Sequence, residues 1–219
     1  SPGAPSLPAL PEHATVVVLA LDPAGPLAAA AAGLVTAGLG TRVTVVPIQG
    51  DGARDPVARG LDGPDALTEH LDATPALAGL IVVLDGAAPR QWQAPGGFAE
   101  ALSKLFAAFQ TLLRAEARAL CLLLTREGAA DGAAAAVAEG FVGMLLAAAL
   151  EYRSVVFRHL AVTDDAALGD ALMLAASTTA APLQLVADGA TTAEVLLAHQ
   201  PLMPDRAGEP ALRLGDVVL

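Results

Sequence analysis

Six short apolar runs punctuate this chain, and the segments between them carry apolar residues at helical spacing. The runs are Thr15–Ala20 (TVVVLA), Arg42–Ile48 (RVTVVPI), Leu80–Leu84 (LIVVL), Leu120–Thr125 (LCLLLT), Val155–Val162 (VVFRHLAV) and Pro182–Ala187 (PLQLVA). Several are apolar throughout and rich in β-branched residues, as strands covered on both faces are. Strands alternating with helices build βαβ units, so the expected class is α/β, a mostly parallel sheet with helices on both faces.

The helical segments have recognisable ends. Asp22, Pro23 and Gly25 break the first strand, and a helix follows over Pro26–Ala37, stopped by Gly38 and Gly40. A short helix is predicted over Asp65–Leu71. A long one over Phe98–Ala117 places Leu102, Leu105, Phe106, Phe109, Leu112 and Leu113 on one stripe. Asp131 suits the cap of a helix running to Tyr152, and Asp164 and Asp165 suit the cap of another over Ala166–Ala176. The polar, glycine-bearing stretches Gln49–Pro64 and Gly86–Gly97 read as loops, the second holding Trp92. Glu194–Ala198 reads as an edge strand and Leu212–Leu219 as a final one.

Composition narrows the function classes. The chain has 219 residues, 54% hydrophobic and 16% charged, enough for a sizeable core and too apolar for disorder. Aromatics are only 3%, so small and aliphatic side chains fill that core. Net charge is −11 with no basic patch, which disfavours nucleic acid and anionic membrane surfaces as partners. The single cysteine, Cys121, excludes an internal disulfide and reads as a small buried hydrophobe. This fits a reducing compartment, hence a cytoplasmic expectation. The proline-broken start SPGAPSLPALPEHA reads as an interdomain linker, not a signal peptide. Gly132–Leu150 is apolar enough to raise the question of a membrane span. Glu139 at its centre argues instead for a helix buried between a sheet and a partner, with no membrane.

Motif searches yield no catalytic set. A dinucleotide site needs glycine-rich backbone between the first strand and its helix, where main-chain donors approach the pyrophosphate. The turn here is LDPAGPL, with Pro23 and Pro26 lacking N–H groups and only Gly25 present. His13, His70, His159 and His199 are scattered without zinc-site spacing, and His159 reads as a half-buried, hydrogen-bonded side chain. Ser103, Ser154 and Ser177 have no base at a motif distance and no G-x-S-x-G surrounds them. Asp164 and Asp165 read as helix caps rather than metal ligands. The loop Gly128–Gly132 (GAADG) lacks the lysine of a phosphate cradle. Thus no catalytic, cofactor-binding or metal-ligating residue is assigned. The final run Leu214–Leu219 (LGDVVL) starts a strand with no turn or helix after it.

Three segments carry a resemblance: TREGA (Thr125–Ala129), GMLLAAALE (Gly143–Glu151) and VVFRHLAVTDD (Val155–Asp165). Together they resemble the ketoreductase region of type I polyketide synthases, specifically its N-terminal structural subdomain. AEVLLAHQPLMP (Ala193–Pro204) is similar to the family's edge segment, and LGDVVL resembles the strand that opens its catalytic subdomain. The chain departs from the pattern at Leu146, where the family has Arg, and at Glu127, which offsets the glycine of T-R-G-A. The resemblance implies a truncated Rossmann-like fold, a degenerate short-chain reductase. Counting along its helix, the reductase Tyr and Lys would fall near Ala134 and Ala138, and Tyr152 is followed four residues later by Val156. Residues 1–13 are then a linker, 14–204 the structural subdomain, and 205–219 a linker and first strand leading to an absent catalytic subdomain. NADPH is expected in that absent half and no cofactor in this chain. Expected partners are the catalytic ketoreductase subdomain and other synthase domains, with a homodimer through the parent synthase also open. A divergent NADPH-dependent reductase and a carrier-protein or dimer docking module are the alternatives. The acidic charge argues against a carrier partner of like sign.

Overall fold

A computed structural model describes residues 7–48, 64–86, 88–115, 118–126, 132–165, 168–177, 184–188 and 191–195. The strands are β1 (Thr15–Ala20), β2 (Arg42–Pro47), β3 (Leu77–Leu84), β4 (Leu120–Arg126), β5 (Val156–Val162), β6 (Gln184–Asp188) and β7 (Thr191–Val195). The helices are α1 (Pro26–Gly33), α2 (Pro64–Asp72), α3 (Arg90–Gln93), α4 (Gly97–Arg114), α5 (Gly132–Glu151) and α6 (Leu168–Ala176). The strands form one sheet in the order β2-β1-β3-β4-β5-β6-β7. All pairs are parallel except the last, where β7 runs antiparallel to β6. The α/β class expected from the strand–helix alternation is the class observed.

Strand periodicity sorts the core into two layers. On β1, Val17 and Leu19 face one cluster with α2, α3, α4 and α5, while Val16, Val18 and Ala20 face the other with α1 and α6. On β4, Cys121 and Leu123 join the first cluster, and Leu120, Leu122 and Leu124 the second. Successive side chains of a strand point to opposite faces, so a run buried on both sides must be apolar at every position. Close packing tolerates few side chains at some points. A Cβ on Gly79 of β3 would sit 3.1 Å from both Leu120 and Val16.

Several elements differ from their expected form. The first helix stays α-helical only to Gly33 and then continues as a π-helix over Leu34–Gly38, closed by the Leu39 N–H on the Leu34 carbonyl. Inside that segment the Thr36 hydroxyl donates back to the Ala32 carbonyl at 3.0 Å. The expected loop Gly86–Gly97 contains α3, which carries Trp92 into the core at 2% exposure. Phe106, expected on the buried stripe of α4, is 44% exposed, while Lys104 is buried and pairs with Glu100. The edge strand expected over Glu194–Ala198 is described over Thr191–Val195, where it folds back on β6 as a hairpin, and residues 196–198 lie outside the described residues. Pro64 opens α2 instead of ending the preceding loop. Leu7 and Leu10, in the segment read as linker, pack against the α1–α6 layer. Residues 49–63, the cap Asp131 and the strand Leu212–Leu219 lie outside the described residues.

α5 is long and apolar enough to cross a membrane by length and composition. It packs instead on the sheet and α4, with Phe141 set edge-on to Phe109 at 5.8 Å and buried Val137, Leu145 and Ala148 facing inward.

Candidate functional site

Parallel strands bring all their carboxyl ends to one edge, and the chain reverses its winding there. From β1 it crosses to β2, then returns over β1 to β3. In open α/β sheets the crevice outside these carboxyl ends, where winding reverses, is where ligands sit. The turn after β1, Asp85 after β3, Arg126 ending β4 and Asp165 after β5 all belong to this edge.

The β1–α1 turn is occupied by its own aspartate. Asp22 Oδ1 accepts the Ala24 N–H at 3.0 Å, and the Asp22 carbonyl accepts the Gly25 N–H at 3.1 Å. Pro26 opens α1 and has no N–H to offer. A pyrophosphate needs free main-chain donors at such a helix start and no negative charge beside them. Here two donors are engaged, one is missing and a carboxylate stands against them. These residues do not fit a dinucleotide pyrophosphate.

Arg126 closes the edge between β3 and β5. Its Nε–H donates to Asp85 Oδ1 at 3.1 Å, and Nη2 donates to Asp85 Oδ2 at 3.3 Å and to Asp165 Oδ1 at 2.8 Å. The Asp85 hydrogen bond, then that to Asp165, holds the guanidinium still further toward its charged form. The sequence reading took Asp165 as a helix cap; the structure puts its carboxylate on Arg126.

Beside this clamp lies a cavity of about 290 Å³, between the start of α5 and the ends of β4, β5 and β6. Thr125, His159 and Glu139 line it together with Ala134 and Ala138. The two alanines sit where the resemblance places a reductase's Tyr and Lys. His159 Nε2 and Thr125 Oγ1 are 2.9 Å apart across the β4–β5 pair. Burial pushes the imidazole down to about 4, so at neutral pH it is uncharged and a weak base. The expected half-buried, hydrogen-bonded histidine is what the structure shows.

Other candidates lie apart from this edge. Tyr152 follows the last turn of α5, roughly 30 Å along that helix from its start. There the Arg118 guanidinium stacks 5.1 Å from its ring centroid. His13 precedes β1 with φ 64°, and His70 is in the last turn of α2 with a buried Nε2. His199 lies outside the described residues. Ser103 is exposed on α4, Ser154 is exposed in the turn between α5 and β5, and Ser177 is buried after α6. Among the described residues no three His, Cys, Asp or Glu side chains group at metal-binding distance. The sequence reading missed Asp22, Asp85 and Arg126 as a set. Their only local signal is position, since each falls where an apolar run ends.

No family model matches the chain, and no curated protein does. Among solved structures it is similar to a small-chain dehydrogenase, with a TM-score of 0.56 and 14% identity over 81% of this chain and 97% of that one. It also aligns with a C2-type ketoreductase from a modular polyketide synthase, with a TM-score of 0.47 and 20% identity. That alignment covers 88% of this chain and 44% of the ketoreductase's length. The chain therefore has the Rossmann-like α/β fold of a short-chain dehydrogenase.

Proposed function

We propose that this chain is a non-catalytic structural subdomain of a polyketide synthase ketoreductase, a scaffold for the half that binds NADPH and reduces β-ketoacyl chains. The observation that carries the reading is the carboxyl edge. Its polar groups engage one another, Asp22 with the β1–α1 backbone and Arg126 with Asp85 and Asp165. Ala134 and Ala138 line the cavity where a proton donor and a cation would be needed. Ketone reduction requires a phenol held acidic by a neighbouring cation, and methyl groups supply neither. The motif resemblance adds the synthase context, and the single cysteine, Cys121, fits a cytoplasmic location.

The test has two arms. NADPH titrated into this chain alone should give no saturable change in nicotinamide fluorescence. A separately produced ketoreductase catalytic half should associate with the chain and gain activity or thermal stability from it. Saturable NADPH binding with turnover of a β-ketoester by the chain alone would establish a divergent reductase instead. Failure to associate would remove the scaffold reading.

A further inference from the structure

α2 connects β2 to β3 and α4 connects β3 to β4, so both helices run against the strands and finish at the amino edge of the sheet. Between their last turns and the start of β3 lies a cavity of about 410 Å³, at the opposite edge from the Arg126 clamp. We propose that this cavity binds a small zwitterion, an amino acid with free ammonium and carboxylate groups. Its volume falls in the range of small-molecule sites, which combine apolar walls with a few placed polar groups. The proposal does not rest on the scaffold reading.

The polar groups here carry both signs. Asp72 ends α2 and Arg114 ends α4, and both are exposed and line the cavity. Among the described residues neither side chain has an ion-pair or hydrogen-bond partner, and they do not pair with each other. Two opposite charges that share one space without meeting fit a molecule that carries both. The end of α2 favours the ammonium. Of its last carbonyls, that of Glu69 accepts the Ala73 N–H, that of His70 the Thr74 hydroxyl at 2.8 Å, and that of Leu71 the Thr74 N–H. The Asp72 carbonyl remains, and it adds the negative end of the helix dipole to the Asp72 carboxylate. At the end of α4 the Ala115 N–H already closes on the Thr111 and Leu112 carbonyls. Arg114 is left to receive the carboxylate, for which a guanidinium offers two parallel donors.

Thr111 lies one turn before Arg114 on the same side of α4 and lines the cavity at 5% exposure. Its hydroxyl has no hydrogen-bond partner among the described residues, although a helical threonine ordinarily donates to the carbonyl a turn earlier. A buried hydroxyl without a partner is costly. A carboxylate held by Arg114 supplies the missing acceptor after a turn about χ1, for which helical threonine has two rotamers. Leu71 and Leu77 give the cavity an apolar wall that suits a short aliphatic side chain.

L-valine titrated into the full chain, followed by amide chemical shifts, tests the proposal. Saturable shifts should appear at Thr74 and Thr111 with a dissociation constant of about 1 mM. N-acetyl-L-valine, which lacks the ammonium, and L-valinamide, which lacks the carboxylate, should each bind about tenfold more weakly. Asp72→Asn and Arg114→Gln should weaken L-valine by a similar factor. Thr111→Val should weaken it by about fivefold while leaving the thermal midpoint undiminished, since the hydroxyl serves no partner in the fold. Absence of saturation up to about 20 mM overturns the proposal. So does equal binding of either blocked probe, which marks a simple anion or cation site, or affinity indifferent to any of the three substitutions.

Discussion

His159 shows how a single residue ties local packing to pH behaviour. Its ordinary pKa of 6.5 falls to about 4 because burial opposes the imidazolium. The unfolded chain therefore binds a proton that the folded chain does not, between those two values. Stability is complete above about pH 6.5 and declines as pH falls toward 4, by about 3 kcal/mol at most. Urea midpoints measured across that range should show the decline, and His159→Gln should flatten it by about one proton. Unchanged steepness in the variant would assign the acid sensitivity to other groups.

At the scale of elements, the α3–α4 corner depends on one missing side chain. Gly96 adopts φ +83°, and a Cβ on Gly97 would collide with the Gln91 carbonyl. That contact lets α3 fold back beneath α4 and seat Trp92 against the sheet. Gly97→Ala should cost about 1–3 kcal/mol, because backbone must shift to admit the methyl group. Trp92 is the only tryptophan, so its emission reports this corner directly. Native emission should be blue-shifted, and the variant's should move to longer wavelength before global unfolding. A variant with unchanged emission and stability would mean that the corner accommodates the group.

At the scale of the whole molecule, β4 lies in the middle of the sheet with β3 and β5 on either side and helices over both faces. Cys121 on that strand is fully buried, and burial pushes its thiol pKa up. The thiolate needed for disulfide exchange is therefore scarce as well as shielded. Labelling with an aromatic disulfide reagent should proceed only through global unfolding, with a rate that follows the unfolding equilibrium in urea. Rapid labelling in the absence of denaturant would reveal a local opening of the central strands.

The periodicity of the chain determined much by itself. Runs apolar at every position specify strands buried on both faces, and the intervening helices force parallel connections, so the class and most element positions are local information. The proline-bounded turn after β1 was local information too, whereas the alanines at 134 and 138 were singled out only by counting along the helix that the family resemblance supplied. Tertiary structure decided what those elements bring together. Arg126 meets Asp85 and Asp165, 41 and 39 residues away, only because β3, β4 and β5 are neighbours in the sheet. Nothing in the periodicity around Phe106 distinguishes it from Phe109. The position of α5 leaves the first ring exposed and buries the second against Phe141 and Phe157. Hydrophobic period is written along one segment, whereas pairing across strands depends on the order in which distant segments stack.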